Sequence, residues 1–390
     1  MPNALERCIN IADLRVLARR RLPPMVFDFM DGGADDEISL RRNISAFQDY
    51  EFLPSVLVDV SAVKTGTRLF GRDIAMPLML SPTGMSRLFH HAGEEAVARS
   101  AGREGLPYAL STMGTATIET IAETTSSPRL FQIYILKDRG ITADFIRRAA
   151  EARFDGLILT VDTLATGNRE RDRRHGLTMP PKLTPRNFLG FARHPGWSLR
   201  ALRKNPLDLV NLEKSMTTAL PSRYSLFEFS NSQVDRTLTW KDVEWIAREW
   251  GGPLAIKGLV TAGDARRAAE SGASAVMISN HGGRQLDATV APIRQVSSIA
   301  EAVGGKLEII VDGGVRRGAD IVKAIALGAT ACSIGRPYLY GLAARGEAGV
   351  AKAIAILRDE LVRTMMLLGA RDVASIANKH IVDIARTPAG

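Results

Sequence analysis

Cysteine is nearly missing from this sequence. Cys8 and Cys332 are the only two, and they lie far apart along the chain. They offer neither a disulfide framework nor a metal–thiolate site, so a reducing compartment is expected. Long apolar runs are missing too, and no stretch reaches the roughly 18 apolar residues of a membrane-spanning helix. The N-terminal MPNALERCINIADLRVLARRRLPP mixes charge with helical apolar spacing where a signal peptide would be apolar. A cytoplasmic location follows as the expectation. Acidic residues are outnumbered, 42 against 51 basic ones, for a formal net charge of +9. The Lys and Arg are scattered, and no zinc-finger spacing or RNA-binding signature accompanies them. Nucleic acid is therefore not an expected partner, whereas a positive field that draws in small acids is.

Familiar fingerprints are absent as well. No G-x-G-x-x-G follows a strand, which argues against a Rossmann dinucleotide site. No G-x-S-x-G elbow exists, which argues against a serine hydrolase of that type. His90 and His91 are adjacent and point apart on any regular element, and His175, His194 and His380 lack ligand spacing. No metal site is expected.

What is present is a repeated unit in a 390-residue chain, 45% hydrophobic, long enough for a substantial core. Eight short apolar runs recur: MPLMLSP (76–82), GLPYALS (105–111), LFQIYI (130–135), FDGLILTVD (154–162), PLAIKG (253–258), GASAVMIS (272–279), LEIIVDGG (307–314) and GATACSIG (328–335). Each is apolar on both alternations, as in strands buried on both faces. Gly105, Gly272 and Gly328 stand where helix C-caps are wanted. Between the runs lie amphipathic stretches such as 142–153 and 319–327. Eight strand–helix units in about 260 residues predict a (β/α)8 barrel over about 75–345. A doubly wound sheet is the alternative. The chain is read as one domain, 1–390, with N-terminal helices near 13–20 and 25–31 and a long amphipathic helix at 347–368.

One connection is out of proportion. Over ninety residues separate the fourth run from the fifth, and the barrel helix resumes only at Thr239-Trp240-Lys241-Asp242, which has capping-box form. The insertion, about 170–238, is rich in Pro, Arg and large apolar residues including Phe188, Leu189, Phe191 and Trp197. It reads as a lid, or as a surface that docks on a membrane or a partner.

In such a barrel, chemistry gathers where strands run into the following loops. Those positions carry Pro82, Thr83, Gly84, Ser111, Gln132, Tyr134, Thr160, Asp162, Lys257, Ser279, His281, Asp312, Gly314 and Gly335. DGGVRRG and IGRP, with Arg316 and Arg336, end the seventh and eighth strands, where barrels hold a phosphate group. Lys257 could be a Schiff-base lysine, a fixed cation beside an electron-rich cofactor, or an ion-pair partner only. His281 alone could be a turn histidine. Asp162 can hold an imidazole tautomer, and Arg284 can bind a carboxylate.

SNHGGRQLD (279–287), VDGGVRRGADIVKAIALGA, IGRPYLYG and LPPMVFDFMDGGADDE (22–37) closely resemble the FMN-dependent L-2-hydroxy-acid dehydrogenases and oxidases, along nearly the whole chain. The resemblance implies FMN as cofactor and oxidation of a lactate- or mandelate-like acid to the 2-oxo acid. It implies His281 as base, Asp162 as its partner, and Arg169 and Arg284 as carboxylate binders. Tyr134 would sit on the substrate hydroxyl and Lys257 beside the flavin N1/C2 carbonyl. Ser111, Gln132, Thr160, Ser279 and Asp312 would bind the ring and ribityl chain, with Pro82, Thr83 and Gly84 near N5. Gly314, Arg316, Gly335 and Arg336 would lie near the phosphate. Met113 falls where the side-chain pocket is lined, and Phe29 replaces the family's usual tyrosine. Gly84 resembles the dehydrogenase members, so a quinone or cytochrome is the expected acceptor, with oxygen the alternative. The resemblance also implies a homotetramer. Docking of the insertion would put the enzyme at the inner face of the membrane.

Overall fold

The computed structural model describes residues 4–175, 190–203, 208–216 and 232–384. Eight parallel strands close into a barrel: β1 (Leu78–Leu80), β2 (Tyr108–Ser111), β3 (Arg129–Ile133), β4 (Gly156–Thr160), β5 (Leu254–Leu259), β6 (Ala275–Ser279), β7 (Glu308–Asp312) and β8 (Ala331–Ile334). The eight apolar runs are therefore the eight strands, and the doubly wound alternative falls. β8 pairs with β1 through Cys332–Leu78 and Ile334–Leu80, which closes the ring.

The double apolar alternation has a direct cause. Met79, Ala109, Leu130, Ile158, Ala255, Met277 and Ile310 fill the barrel interior. Their neighbours Leu78, Leu110, Phe131, Leu157, Ile256, Ile278 and Val311 pack outward in the main core. A short hairpin, Thr67–Leu69 with Arg72–Ile74, adds Leu69, Phe70 and Ile74 to the interior cluster.

Three helices precede the barrel: α1 (Ile11–Arg21), α2 (Pro24–Asp31) and α3 (Ile38–Ser45). Around it run α4 (Gly93–Arg103), α5 (Ile118–Thr124) and α6 (Arg139–Glu151). The insertion contributes α7 (Glu170–Arg174), α8 (Pro195–Arg203) and α9 (Val210–Ser215), while Phe188 and Leu189 lie outside the described residues. The outer ring resumes with α10 (Trp240–Trp250), whose start matches the Thr239 signal. There the Asp242 carboxylate accepts from the Thr239 N–H at 2.8 Å. Next come α11 (Ala262–Glu270), α12 (Val296–Val303), α13 (Gly318–Ala326), α14 (Arg336–Arg345) and the long α15 (Glu347–Leu368). Trp197 and Asn211 are among the side chains that seat the insertion. Trp197 Nε1 donates to the Leu88 carbonyl at 2.8 Å. Buried Asn211 accepts from the Ile118 N–H at 3.0 Å, capping α5, and donates to the Ala116 carbonyl at 2.9 Å.

Gly105, Gly272 and Gly328 end α4, α11 and α13 in the left-handed region, with φ of 65°, 91° and 108°. In each, the next N–H reaches back to close a Schellman motif, as Leu106 does to Ala101 at 2.9 Å. α6 ends in the same way, with the Phe154 N–H on the Ala149 carbonyl at 3.0 Å, but its left-handed residue is Arg153, φ 55°. A side chain there costs about 1 kcal/mol. Arg153→Gly is expected to stabilise the protein by about 0.5–1 kcal/mol, net of the chain entropy glycine adds. A raised thermal midpoint in a flavin-release melt is the expected reading, and a lowered one would contradict it.

Candidate active site

Strand register assembles the site. Ser111 lies opposite Gln132, Thr160 opposite Lys257, and Asp312 opposite both Ser279 and Ser333. The C-terminal ends of the strands thus deliver a polar rim above an apolar interior. The rim borders a cavity of about 300 Å³. Of the sequence-derived candidates, Phe29, Pro82, Thr83, Gly84, Ser111, Met113, Gln132, Tyr134, Thr160, Arg169, Lys257, His281, Arg284, Asp312, Gly314, Arg316, Gly335 and Arg336 all line it. Asp162 and Ser279 stand one hydrogen bond behind its wall.

Lys257 is the buried hub. Its Nζ lies 3.1 Å from Asp312 Oδ2 and donates to Ser279 Oγ at 3.0 Å. Ser279 Oγ donates in turn to Asp312 at 2.8 Å, and Ser81 Oγ donates to the other Asp312 oxygen at 2.8 Å. Burial opposes the charged ammonium, but Asp312 and Asp162 outweigh it and hold the pKa above the ordinary lysine value. Burial likewise opposes the Asp312 carboxylate. Lys257 and the two serine hydroxyls overcome that and hold it below the usual range. A Schiff-base lysine needs a depressed pKa, so this lysine is built as a fixed cation.

His281 follows β6 in the left-handed region, φ 57°, and its N–H donates to Ser279 Oγ at 3.0 Å. Its Nδ1 lies 2.9 Å from Asp162 Oδ1. Asp162 fits because Gly258, at a bulge in β5 with φ 110°, has no side chain; a Cβ there would meet Asp162 Cγ at 2.8 Å. Burial would raise the Asp162 pKa, but His281 and Lys257 keep it lowered. Burial pushes the Tyr134 phenol up to about 12, against the pull of Lys257, so it remains a neutral hydroxyl.

Phe29 has a definite place. Arg284 and Arg169 both stack on its ring, at 5.2 and 5.5 Å from the centroid. Arg284 also donates to the Phe29 and Gly32 carbonyls at 2.7 and 3.0 Å. Burial, with Arg169 and Arg336 nearby, brings its pKa down to about 9, still cationic at neutral pH. Arg169 pairs through Nε with Asp172 at 2.7 Å, and two guanidiniums beside one carboxylate are suited to an incoming acid.

Buried polar atoms test the fit to FMN. Gln132 Nε2, Thr160 Oγ1 and Ser333 Oγ are buried on the cavity wall with no partner among the described residues. Beside Lys257 they suit a flat ring with carbonyl and N–H edges. At the other end, Gly314 (φ 87°) passes so close to Asn43 that a Cβ would lie 1.9 Å from its carbonyl oxygen. α14 begins at Gly335 without a side-chain cap, leaving backbone N–H groups for a phosphate. Arg316 lines this end, while the Arg336 guanidinium is committed to the carbonyls of Met30, Gly282 and Gly32 at 3.1, 2.9 and 2.7 Å. These residues fit the group.

Sequence reasoning missed Ser333, Ser81, and Tyr338, whose hydroxyl joins Thr83 Oγ1 at 2.6 Å and donates to the Ser81 carbonyl at 2.8 Å. The inward alternation of β8 could have found Ser333. Asp287 has partners well beyond its own turn. Its carboxylate accepts from the N–H groups of Ile38 and Ser39, at 3.0 and 2.7 Å, and so caps α3.

A barrel whose C-terminal rim fits a flavin mononucleotide, beside a histidine–aspartate pair and two arginines on one aromatic ring, has the layout of a flavin-type oxidoreductase. The comparisons agree. The family model described as FMN-dependent dehydrogenase matches residues 18–383. A putative L-lactate dehydrogenase of Mycobacterium tuberculosis is 41% identical over 98% of this chain and 91% of its own. Glycolate oxidase 1 of Zea mays is 40% identical over 96% and 95%. The crystal structure of the monotopic membrane protein (S)-mandelate dehydrogenase superposes with a TM-score of 0.92 at 36% identity, covering 97% of this chain and all of that one. The chain belongs to the FMN-dependent dehydrogenase family, and FMN is its cofactor.

Asp31, 5% exposed, anchors α2 below this site. It accepts from Arg15 at 2.6 and 2.7 Å and from the Tyr340 hydroxyl at 2.8 Å. Burial would raise its pKa, but Arg15, Tyr340 and Arg336 hold it below the ordinary value. A depressed folded pKa gives stability that is full above the unfolded value and lost as pH falls through the folded one. Breaking a fully buried pair costs about 3–5 kcal/mol, and Arg15 is 43% exposed, so the effect is smaller. Asp31→Asn should lose about 2 kcal/mol at pH 7, with the gap to wild type narrowing below about pH 4. Thermal or urea unfolding across that range checks it, and a pH-independent gap would contradict the ionic account.

Proposed function

We propose that this enzyme oxidises an L-2-hydroxy acid, lactate- or mandelate-like, to the 2-oxo acid, with His281 as base. The observation that carries the reading is the His281 Nδ1–Asp162 contact at 2.9 Å, on the wall of a cavity that also holds Arg169 and Arg284. With Nδ1–H directed at Asp162, Nε2 is left as the basic nitrogen of the ring. Arg169 and Arg284, steadied on the Phe29 ring, take the substrate carboxylate. Tyr134, kept neutral, donates to the substrate hydroxyl oxygen. His281 accepts the proton, and the buried Asp162 carboxylate stabilises the resulting imidazolium. FMN, when bound, would supply the two-electron acceptor, and Lys257 would be the fixed cation beside its ring. Whether His281 takes the hydroxyl proton or the carbon proton is decided by solvent and substrate isotope effects.

We read the natural acceptor as a quinone or cytochrome. The likeness to a monotopic (S)-mandelate dehydrogenase supports peripheral membrane contact through the insertion. No helix among the described residues is long and apolar enough to cross a membrane. An oxygen-using oxidase is the second reading, favoured by the glycolate oxidase relative. Oxygen uptake with and without an artificial acceptor separates the two.

The test of the reaction is anaerobic bleaching of the flavin by a panel of L- and D-2-hydroxy acids. His281→Gln is expected to abolish bleaching while the protein stays yellow; persistent bleaching would remove His281 from the role. Phe29→Tyr keeps the ring beneath both arginines and restores a hydroxyl. A hydrogen bond to a charged group is worth about 1.5–3 kcal/mol, so KM for lactate or mandelate should fall about tenfold. An unchanged or raised KM would count against small acids as the native substrates.

A further inference from the structure

A second cavity, of about 240 Å³, meets the catalytic one only at Phe89. Three elements build it. The last turn of α1 brings Arg20 and Arg21, the loop after β1 brings Arg87, and α8 with the turn before it brings Arg193 and Arg200. His90, His91 and His194 complete its polar lining, and no acidic residue among the described residues lines it. The Trp197–Leu88 hydrogen bond, at 2.8 Å, holds α8 against the loop.

The cluster is short of negative charge. Arg87, 12% exposed, pairs with Glu95 at 3.1 Å through Nη2, while its buried Nε has no partner among the described residues. The sequence from Arg173 to Leu207 contains no Asp or Glu at all. Burial, His91, Arg200 and Arg21 together push the His90 pKa down to about 4. Burial, Arg345 and Arg200 lower that of Arg21. Like charges held this close repel unless an anion joins them.

The donor type narrows the anion. Among the described residues the charged lining is arginine with no lysine, and guanidinium forks match tetrahedral oxyanions through paired N–H donors. Gly196 and Trp197, in the first turn of α8, border the same space and add the positive end of a helix. Leu199, on the same helix, is 60% exposed. We propose that this cleft is a phosphate-binding site distinct from the catalytic cavity, filled either by a free phosphate group or by the phosphodiester headgroup of a lipid.

The experiment uses the yellow holoenzyme. Calorimetry measures binding of inorganic phosphate, and co-sedimentation measures capture by phosphatidylglycerol vesicles against phosphatidylcholine vesicles. Arg21→Gln/Arg200→Gln removes two of the cations, and Arg266→Gln, an exposed arginine on α11, is the control. Phosphate binding or phosphatidylglycerol capture should weaken about tenfold or more in the double variant and stay unchanged in the control. Capture that inorganic phosphate competes away assigns the lipid headgroup, and phosphate binding without capture assigns the free anion. Absence of both, or binding that the double variant leaves intact, overturns the proposal. The flavin spectrum of each variant verifies that it is folded.

Discussion

One buried ammonium organises this enzyme. Lys257 lies on the barrel axis side of β5 with Asp312 at 3.1 Å, and the charge of Asp162 acts on it as well. Removing such a charge from water is expensive unless hydrogen-bonded partners surround it. The serines at the ends of β1 and β6 complete those partners. The same Ser279 hydroxyl that receives Lys257 also receives the His281 N–H. The ion pair therefore sets the backbone from which the histidine projects, and His281 and Lys257 cannot move independently. Around this core the arginines leave an excess of positive charge, which an acid substrate and a cofactor phosphate are suited to complete.

The stretch SNHGGRQLD does more than present His281. His281, Gly282 and Gly283 all have positive φ, which turns the chain sharply enough for Arg284 to re-enter the cavity. Gly283 also lets α3 approach, since a Cβ there would lie 2.5 Å from the Leu40 nitrogen. Asn280 exchanges side-chain hydrogen bonds with Asn43 at 2.7 and 2.8 Å, and Asp287 caps α3. The N-terminal helices are thereby fastened to the loop that carries His281. That attachment is why Phe29, from α2, can serve as the floor for two arginines that arrive from other loops.

The barrel was legible because its signal is local. Strands buried on both faces read as short apolar runs, and helix ends read as glycines, so periodicity alone located the eight strands. The rim was legible for the same reason, since a polar residue directly after an apolar run marks a strand end. Contacts between distant segments left no such trace. Asp287 reads as a turn residue until the fold brings Ile38 to it, and Ser333 is one serine among many until register sets it beside Asp312. Phe29 is instructive in another way. Beside its relatives it reads as a loss of one hydroxyl, whereas the structure brings out what is retained, a ring that two guanidiniums share. The insertion was readable as an interruption, but its anchors were not, because Trp197 and Asn211 act through backbone groups on loops after β1 and β2.

Those anchors have a consequence for how the site is governed. The loop after β1 carries Thr83 and Gly84 on the catalytic side and Arg87 to His90 on the side of the basic cleft. Phe89 stands between, stacked on Phe29 at 6.4 Å and lining both spaces. Trp197 holds this loop by a single backbone carbonyl, that of Leu88. A displacement of α8 would therefore reach the loop one residue from Phe89, and through that ring the floor under Arg169 and Arg284. Packed aromatic contacts transmit such shifts because interiors are close to incompressible. The insertion is thus joined by an unbroken run of contacts to the ring on which Arg169 and Arg284 stack, and an anion held by its arginines would act on that same run.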